Sequence, residues 1–549
     1  MRDKMRPMLF EKMIQSLMAE YNQSKSFYGV PVIETTEEVP IGPAAGPHTQ
    51  LATNIICAYA AGATYFELKT VQVLEGKALN ITKPCIYVGY EVYNTEWSTE
   101  LTIKEAGDEY IKAYLLIGVL SRVLGLRPLE DVHFIMSVGY DLEGIKSAKV
   151  DAFIETMKKA SLSEEWQKDC RYIRTNGQKL WGLSDLEIDE ILCCDRISDT
   201  VTLSTLHGCK KEEIEEIATY LMKEKGLHTY VKLNPTLLGE EKIRQILDAK
   251  GYEDVRFVGE MFEKDLNLGE VQKLIADLQQ VAKVCQRTFG IKLTNTLPVC
   301  IQHQELMGEA MYMSGPILYP IAMGVTYELA KYFRGDIKIS YSGGIDTSNI
   351  KALLETGVFP ITVSSFLLKP GGYKNLSRLI KASRREDKSE EQVSGRLQVE
   401  KLKALAEAAV LDKDYDYKAT HLFKRSKAYD MLCSKCENCM DVCPNRANVA
   451  VQIEGKKYIV HIDDLCNECG CCACECIRGH SPYKEKLTLF TDKESFMNST
   501  NDGVLCRCEV ILSHKGENLI LAYRKDGKLQ SVSPLVATVV SKIKKEGRL

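Results

Sequence analysis

The sequence predicts an α/β protein built on a (β/α)8 barrel, with a smaller cysteine-rich domain after it. Three observations predict this. Short β-branched segments alternate with helical stretches from about residue 36 to residue 375. Polar side chains and glycines collect at the ends of those strand-like segments, where barrels place their chemistry. Near the C-terminus one cysteine spacing occurs twice.

In chain order, the opening MRDKMRPMLFEKMIQSLMAEYNQ carries apolar residues at helical spacing interrupted by Lys and Glu. It reads as an amphipathic helix within an N-terminal segment, 1–35, and not as a signal peptide. The strand-like segments are VPIGP, TYFELKT, VHFIMSVGYD, TVTLSTLHG, TYVKLNPTL, IKLTNTLPV, IKISYSGGID and ITVSSF, with helical stretches such as LATNIICAYAAG and EEIEEIATYLMKEKG between them. This alternation assigns 36–375 to a TIM barrel with insertions; a doubly wound sheet is the alternative. The strand ends carry Lys69, Ser204, His207, Lys232, Asn234, Asn295 and Thr296. The last two add Gly343 and Gly344, then Ser364 and Ser365, where backbone N–H groups could hold a phosphate. Residues 376–430 are charged and helical, and read as a connector.

From Cys433 to Cys476 the chain reads CSKCENCMDVCPNRANVA and then CNECGCCACECIRG, so that C-x-x-C-x-x-C-x-x-x-C appears twice. Thiolates at those offsets wrap a 4Fe–4S cubane, the fourth cysteine of each run reaching across to the other cluster. Cys433, Cys436, Cys439 and Cys476 would hold one centre, and Cys466, Cys469, Cys472 and Cys443 the second. Zinc usually takes paired C-x-x-C knuckles and gives no reason for a third cysteine at the same step. Residues 431–485 are therefore expected to form a bacterial-type ferredoxin-like domain with two clusters, with Cys471 and Cys474 left over for packing. Residues 486–549 are expected to form a small β-rich tail, and Cys506 and Cys508 in it do not by themselves make a metal site.

Length and composition bound the rest. At 549 residues with 45% hydrophobic side chains, two or three domains are expected, and a formal charge of -4 leaves no basic footprint for nucleic acid. The 20 cysteines, partly in the repeated motif and partly single, suit a reducing cytoplasm. The most apolar run, YIKAYLLIGVLSRVLGL, is broken by Lys112 and Arg122, so no membrane segment is expected. No G-x-G-x-x-G follows any strand, so electrons are expected from a partner and not from nicotinamide bound by this chain.

Taken together, IGPAAGP, ELKT, NTEW, LSTLHG, VKLNP, TNT, SGGID and VSS, in this order, resemble the flavin-binding barrel of dihydroorotate and dihydropyrimidine dehydrogenases. PIGPAAGPHTQLATNI, ELKTVQ, YNTEWSTE, LHGC, LHTYVKLNPTLLG and CPNRANVA are similar to the selenate reductase subunit family associated with anaerobic purine use, over nearly the whole chain. Longer members of that family continue into a nucleotide-binding flavin domain. The resemblance implies FMN against Ala44, Ala45, Lys69, Thr70 and Lys232, with its phosphate at Gly315, Gly343, Gly344, Ser364 and Ser365. It implies ring contacts from Asn94, Asn295 and Thr296, with Glu96, Thr202 and Ser204 beside them; Thr202 replaces an asparagine of the pyrimidine enzymes. The proton donor of the family's loop is a cysteine or serine. Here Thr205 takes that place, with His207 and Cys209 as further candidates.

The expected protein is therefore an iron–sulfur flavoprotein that reduces a ring C=C or C=N bond in an oxidised N-heterocycle, an oxopurine such as urate before a pyrimidine. Its partner would be an electron-donor subunit carrying NAD(P)H and FAD sites, or of ferredoxin type, in a hetero-oligomer. A dihydropyrimidine or dihydroorotate type of dehydrogenase, a selenate reductase subunit and a pure electron relay are the alternatives.

Overall fold

Eight short parallel strands make the central sheet: β1 (Ile41–Pro43), β2 (Tyr65–Glu67), β3 (His133–Gly139), β4 (Thr200–Ser204), β5 (His228–Leu233), β6 (Phe289–Leu293), β7 (Ile339–Tyr341) and β8 (Ile361–Val363). The computed structural model describes residues 5–34, 39–79, 81–96, 98–205, 209–384, 396–419, 423–426, 430–507, 520–525, 528–530 and 533–548. The sheet order runs from β1 through β8, β7, β6, β5, β4 and β3 to β2, each strand parallel to its neighbour. Between β2 and β1 the Thr64 amide donates to the Ile41 carbonyl at 3.1 Å, which nearly closes the ring. Gly42 makes this seam possible, since a Cβ there would stand 1.4 Å from the Tyr65 carbonyl oxygen. The alternation of strand and helix therefore gives a near-closed barrel and not a doubly wound open sheet.

β3 and β6 are nearly continuous buried runs, as expected where helices cover the outer face, while β5 alternates buried and half-buried positions. Those helices start where the sequence can satisfy their free amides: Thr102 accepts from the Glu105 amide, and Asn267 does the same for Glu270. The apolar run around Lys112 lies in the helix Ile103–Leu124, where Lys112 pairs with Glu109 at 2.5 Å. Among the described residues no helix is long and apolar enough to cross a membrane. The opening helix is Phe10–Ser24, burying Phe10, Met13, Ile14, Leu17 and Tyr21 on one face.

Inside the barrel a charged layer crosses from one wall to the other. Glu67 of β2 pairs with Lys292 of β6 at 3.2 Å, both almost fully buried, and Lys292 also donates to Ser340 at 3.0 Å and to Thr362 at 2.5 Å. Burial alone would push the Glu67 carboxyl up; Lys292, Lys232 and the Ala45 amide outweigh it and hold it below the usual range. Burial brings Lys292 down to about 8. Removing one partner of such a pair typically costs about 3–5 kcal/mol.

Two differences from the sequence reading matter. The first is a four-stranded antiparallel sheet made from two distant hairpins, Ile86–Val88 with Val92–Asn94 and Leu297–Cys300 with Ala310–Ser314, joined through Asn94 and Tyr312. The second concerns the C-terminal third. The helix Val399–Leu411, expected as connector, packs on the barrel helix Leu318–Tyr332. The cysteine-rich region and the expected tail share one six-stranded sheet: β9 (Asn448–Ile453), β10 (Lys456–Ile462), β11 (Thr488–Phe490), β12 (Gly503–Arg507), β13 (Ile520–Lys525) and β14 (Lys528–Gln530). Val451, Val460, Leu489 and Val504 of that sheet bury the face of the helix Pro534–Lys545.

Two histidines are buried without charge. Burial holds His48, in the turn after β1, at about 3, and does the same for His461 on β10. In the unfolded chain both would titrate near 6.5. Between pH 6.5 and 3 the unfolded state thus binds protons that the folded state refuses, and stability falls as pH is lowered, by on the order of 1 kcal/mol per pH unit for each. Anaerobic thermal melting should show Tm falling from pH 7 to pH 5.5, with a shallower fall in a His48→Gln/His461→Gln variant. An unchanged slope would contradict this account of the two imidazoles.

Candidate active site

The C-terminal ends of the barrel strands and the hairpin sheet enclose one cavity. Ala44 and Ala45 reach it from β1, Lys69 and Thr70 from β2, Ser204 and Thr205 from β4, Lys232 from β5, and Asn295 and Thr296 from β6. Gly343 and Gly344 follow β7, and Ser364 and Ser365 follow β8, at the same cavity. Asn94, Glu96, Tyr312 and Ser314 of the hairpin sheet and its flanks line the opposite wall. Residues widely separated in sequence are thus brought together at one cavity.

Four expected residues fall elsewhere or outside view. Thr202 is buried in β4 and does not line the cavity. Gly315 is also absent from the lining; a Cβ there would stand 2.2 Å from Glu91 Oε2, so this glycine makes room for a buried carboxyl group. Cys209 lines a smaller cavity behind Thr205, and its thiol, pushed up to about 12 by burial and by Glu213, donates to Glu213 Oε2 at 3.5 Å. His207 lies outside the described residues. Thr205 does line the main cavity, but its hydroxyl donates to the Lys232 carbonyl at 2.9 Å.

The electrostatics of the cavity are set by lysines. Among the described residues, neither Lys69 nor Lys232 makes a direct hydrogen bond or ion pair through its ammonium group. Burial lowers Lys69, against the pull of Glu100, Cys85 and Glu96. Two ammonium groups facing one cavity suit an anionic or electron-rich ligand edge. At the far end Gly344 has φ +63 and a Cβ would meet the Tyr319 amide nitrogen at 2.7 Å, so backbone approaches backbone there as only glycine permits. The turns at Gly343, Gly344, Ser364 and Ser365 and the two lysines form a set that could hold the phosphate and the ring edge of FMN.

Cys85, Glu100 and Asn467 also line the cavity, and sequence reasoning missed all three. They mark the junction with the cysteine loops. The Cys85 and Ile86 amides both donate to the Cys469 carbonyl, at 3.2 and 2.8 Å, and Asn467 Nδ2 donates to Glu100 Oε1 at 2.7 Å. Gly470 has φ +100, and a Cβ there would meet Pro84 at 2.7 Å. On the barrel side, Asn54 and Tyr373 both donate to the Pro444 carbonyl at 2.8 Å, and Gln50 donates to Asn445 at 3.0 Å.

Within the loops the thiols lie close enough to act on one another, and Cys443 acts on both Cys466 and Cys439. Burial pushes Cys466 well above its ordinary value, and Cys443, Cys472 and Cys469 push it further. Burial pushes Cys439 up to about 12, with Lys486 opposing and Cys436, Cys476 and Cys443 adding. Among the described residues no three His, Cys, Asp or Glu side chains converge as donors for a single ion. The two sets, Cys443, Cys466, Cys469 and Cys472 with Cys433, Cys436, Cys439 and Cys476, could each hold one cluster. Of the leftover cysteines, Cys471 is fully buried, and Cys474 accepts from the Val88 amide at 3.4 Å. Cys506 is buried in the C-terminal sheet, and Cys508 lies outside the described residues.

Among solved structures, DHODH from Eimeria tenella in complex with ferulenol is similar at 13% identity and a TM-score of 0.39, covering 67% of this chain and 89% of that one, a likeness too slight to bear on the chemistry. YgfK of Escherichia coli K12, a protein named as an oxidoreductase, is 41% identical over 406 residues, and so is its counterpart in strain O157:H7. Each alignment covers 69% of this chain and 39% of the relative, so the chain spans about two fifths of the length of the curated relatives it matches. The sequence model described as "Oxidoreductase YgfK, N-terminal TIM-barrel domain" matches residues 14–418, more than half of the chain. With its near-closed barrel and its strand-end cavity, the chain belongs to the YgfK oxidoreductase family, whose N-terminal TIM-barrel domain it carries.

Proposed function

We propose that this chain is the flavin and iron–sulfur part of an oxidoreductase that reduces a ring C=C or C=N bond of an oxidised N-heterocycle, with an oxopurine such as urate as substrate. One observation carries the reading: Lys69 and Lys232 present two directly unpartnered ammonium groups, among the described residues, to a cavity whose wall includes Asn467 of the cysteine loops. When bound, FMN would supply hydride transfer to the ring, and two 4Fe–4S clusters would supply one-electron steps.

The chain's own residues would do the rest. Lys69 and Lys232 favour negative charge at the flavin edge they face. Asn94, Asn295 and Thr296 offer the donors and acceptors that a ring of alternating C=O and N–H groups needs. Tyr312 and Ser314 of the hairpin sheet cover the site and limit water. Thr205 stands where a proton is needed, but its own hydrogen is engaged by the Lys232 carbonyl; it would act by passing on a proton received from water. The cysteine set next to Cys85 is the one nearest the cavity, and the other reaches the surface at Cys436, with Ile477 exposed beside it. That polarity supports electron entry from a donor subunit docking at the outer set.

Two outcomes are expected. Lys69→Met and Lys232→Met should each weaken FMN retention roughly 10- to 100-fold, the scale of a lost charged hydrogen bond of about 1.5–3 kcal/mol, with iron content unchanged; flavin released per chain and iron per chain measure this. Full flavin occupancy in both variants would remove the lysines from the account. The chain alone should reduce urate anaerobically with reduced viologen but not with NADH or NADPH. Equal turnover with NADPH would contradict the need for a donor subunit.

A further inference from the structure

The amide of Asn295 has its orientation imposed from behind. Asp265, on the loop between β5 and β6, is buried, and its Oδ2 accepts from Asn234 Nδ2 at 3.1 Å and from Thr236 Oγ1 at 2.7 Å. Asn234 follows β5, and its Oδ1 accepts from Asn295 Nδ2 at 2.7 Å. The same nitrogen of Asn295 also donates to the Thr205 carbonyl at 3.5 Å. A carboxylate only accepts, whereas an amide has one end that donates and one that accepts. Starting from Asp265, the polarity of each link is therefore forced: Asn234 must turn its NH2 to the carboxylate and its oxygen to Asn295. Asn295 must then turn its NH2 inward, which leaves Oδ1 as the atom it offers to the cavity it lines.

We propose that Asp265 is a positioning residue which, through Asn234, holds Asn295 with Oδ1 toward the cavity, so that the site selects a ring bearing an N–H donor at that edge. The proposal rests on the reading of the cavity as a ring-reduction site. It adds a direction to the recognition: the partner of Asn295 is a ring N–H, not a ring C=O or an unprotonated nitrogen. A methyl group on that nitrogen removes the donor and sets an apolar group against Oδ1, and sites built around such a hydrogen bond discriminate strongly. Without the carboxylate, Asn234 can turn over and Asn295 can present either end.

The test uses the anaerobic chain loaded with flavin and clusters, and follows flavin absorbance on addition of urate or its 1-, 3-, 7- or 9-methyl derivative. Wild type should bind one methyl isomer at least ~10-fold more weakly than urate, and Asp265→Leu should narrow that gap to within about threefold as the polarity constraint is lost. The same gap in Asp265→Leu, or a wild type indifferent to every methylation, would overturn the proposal. If wild type binds none of these rings, the functional reading fails separately, and thermal melting then decides the relay; it also decides if Asp265→Leu does not fold. Asn295→Asp sets an acceptor against Asn234 Oδ1 and should lower Tm, and adding Asp265→Asn should let Asn234 turn over and restore it. Additive effects of the two substitutions would overturn the relay.

Discussion

Two backbone amides, of Cys85 and Ile86, share the carbonyl of Cys469, and much of the site depends on that junction. It fixes the cysteine loop against the hairpin sheet, and the hairpin sheet is what closes the cavity over the strand ends. Gly470 at φ +100 lets the loop come this close, and Asn467 reaches past it to Glu100 at the cavity wall. The barrel supplies the opposite clamp through Asn54, Tyr373 and Gln50 on Pro444 and Asn445. Backbone hydrogen bonds and buried amides hold position better than an exposed ion pair would, because neither salt nor side-chain entropy loosens them much. The cysteine loops are thus a wall of the cavity as well as a possible site for clusters.

Charge gives the cavity its chemical bias. Lys69, Lys232 and Lys292 converge on the C-terminal half of the barrel, and Glu67 is the carboxylate paired with Lys292 inside it. The pair beneath leaves Lys69 and Lys232 to face the cavity. Positive charge held at low dielectric by a folded scaffold costs stability, and it is retained where a ligand compensates it. Packing separates Gly315 from the other glycines: a Cβ there would stand 2.2 Å from Oε2 of Glu91, a carboxyl pushed up to about 7 by burial.

Much of this was legible in the sequence, because barrel strands are local. β4, TVTLS, and β5, HTYVKL, announce themselves by β-branched residues, and their C-terminal ends carry Ser204 and Lys232 into the cavity. The hairpin sheet was not legible. Val92–Asn94 and Ala310–Ser314 pair across more than two hundred residues, so Cys85, Tyr312 and Ser314 carry no local sign of their place. Parallel pairing of Ile462 with Leu489 joins strands on either side of the second cysteine loop, which is why the tail looked separate from the cysteine region. The helix Val399–Leu411 read as a connector because it lies in a charged stretch and buries only Leu402, Ala406 and Ala409. At the loop after β4, position in a motif named Thr205 and Cys209. Their hydrogens turn to Lys232 and Glu213 instead, a direction that the folded chain sets and a motif does not. Asp265 was invisible for the same reason, its role resting on the direction of amides two residues removed from it.

The central claim is that one cavity holds a flavin beside two cysteine quartets. A crystal structure of the anaerobically purified, fully loaded chain tests it most directly. The account predicts FMN in the strand-end cavity with its ring edge at Lys69 and Lys232 and its phosphate at Gly343, Gly344, Ser364 and Ser365, one cubane on Cys443, Cys466, Cys469 and Cys472, and another on Cys433, Cys436, Cys439 and Cys476. A loaded structure with zinc at the cysteines, or with flavin bound anywhere other than this cavity, would contradict it.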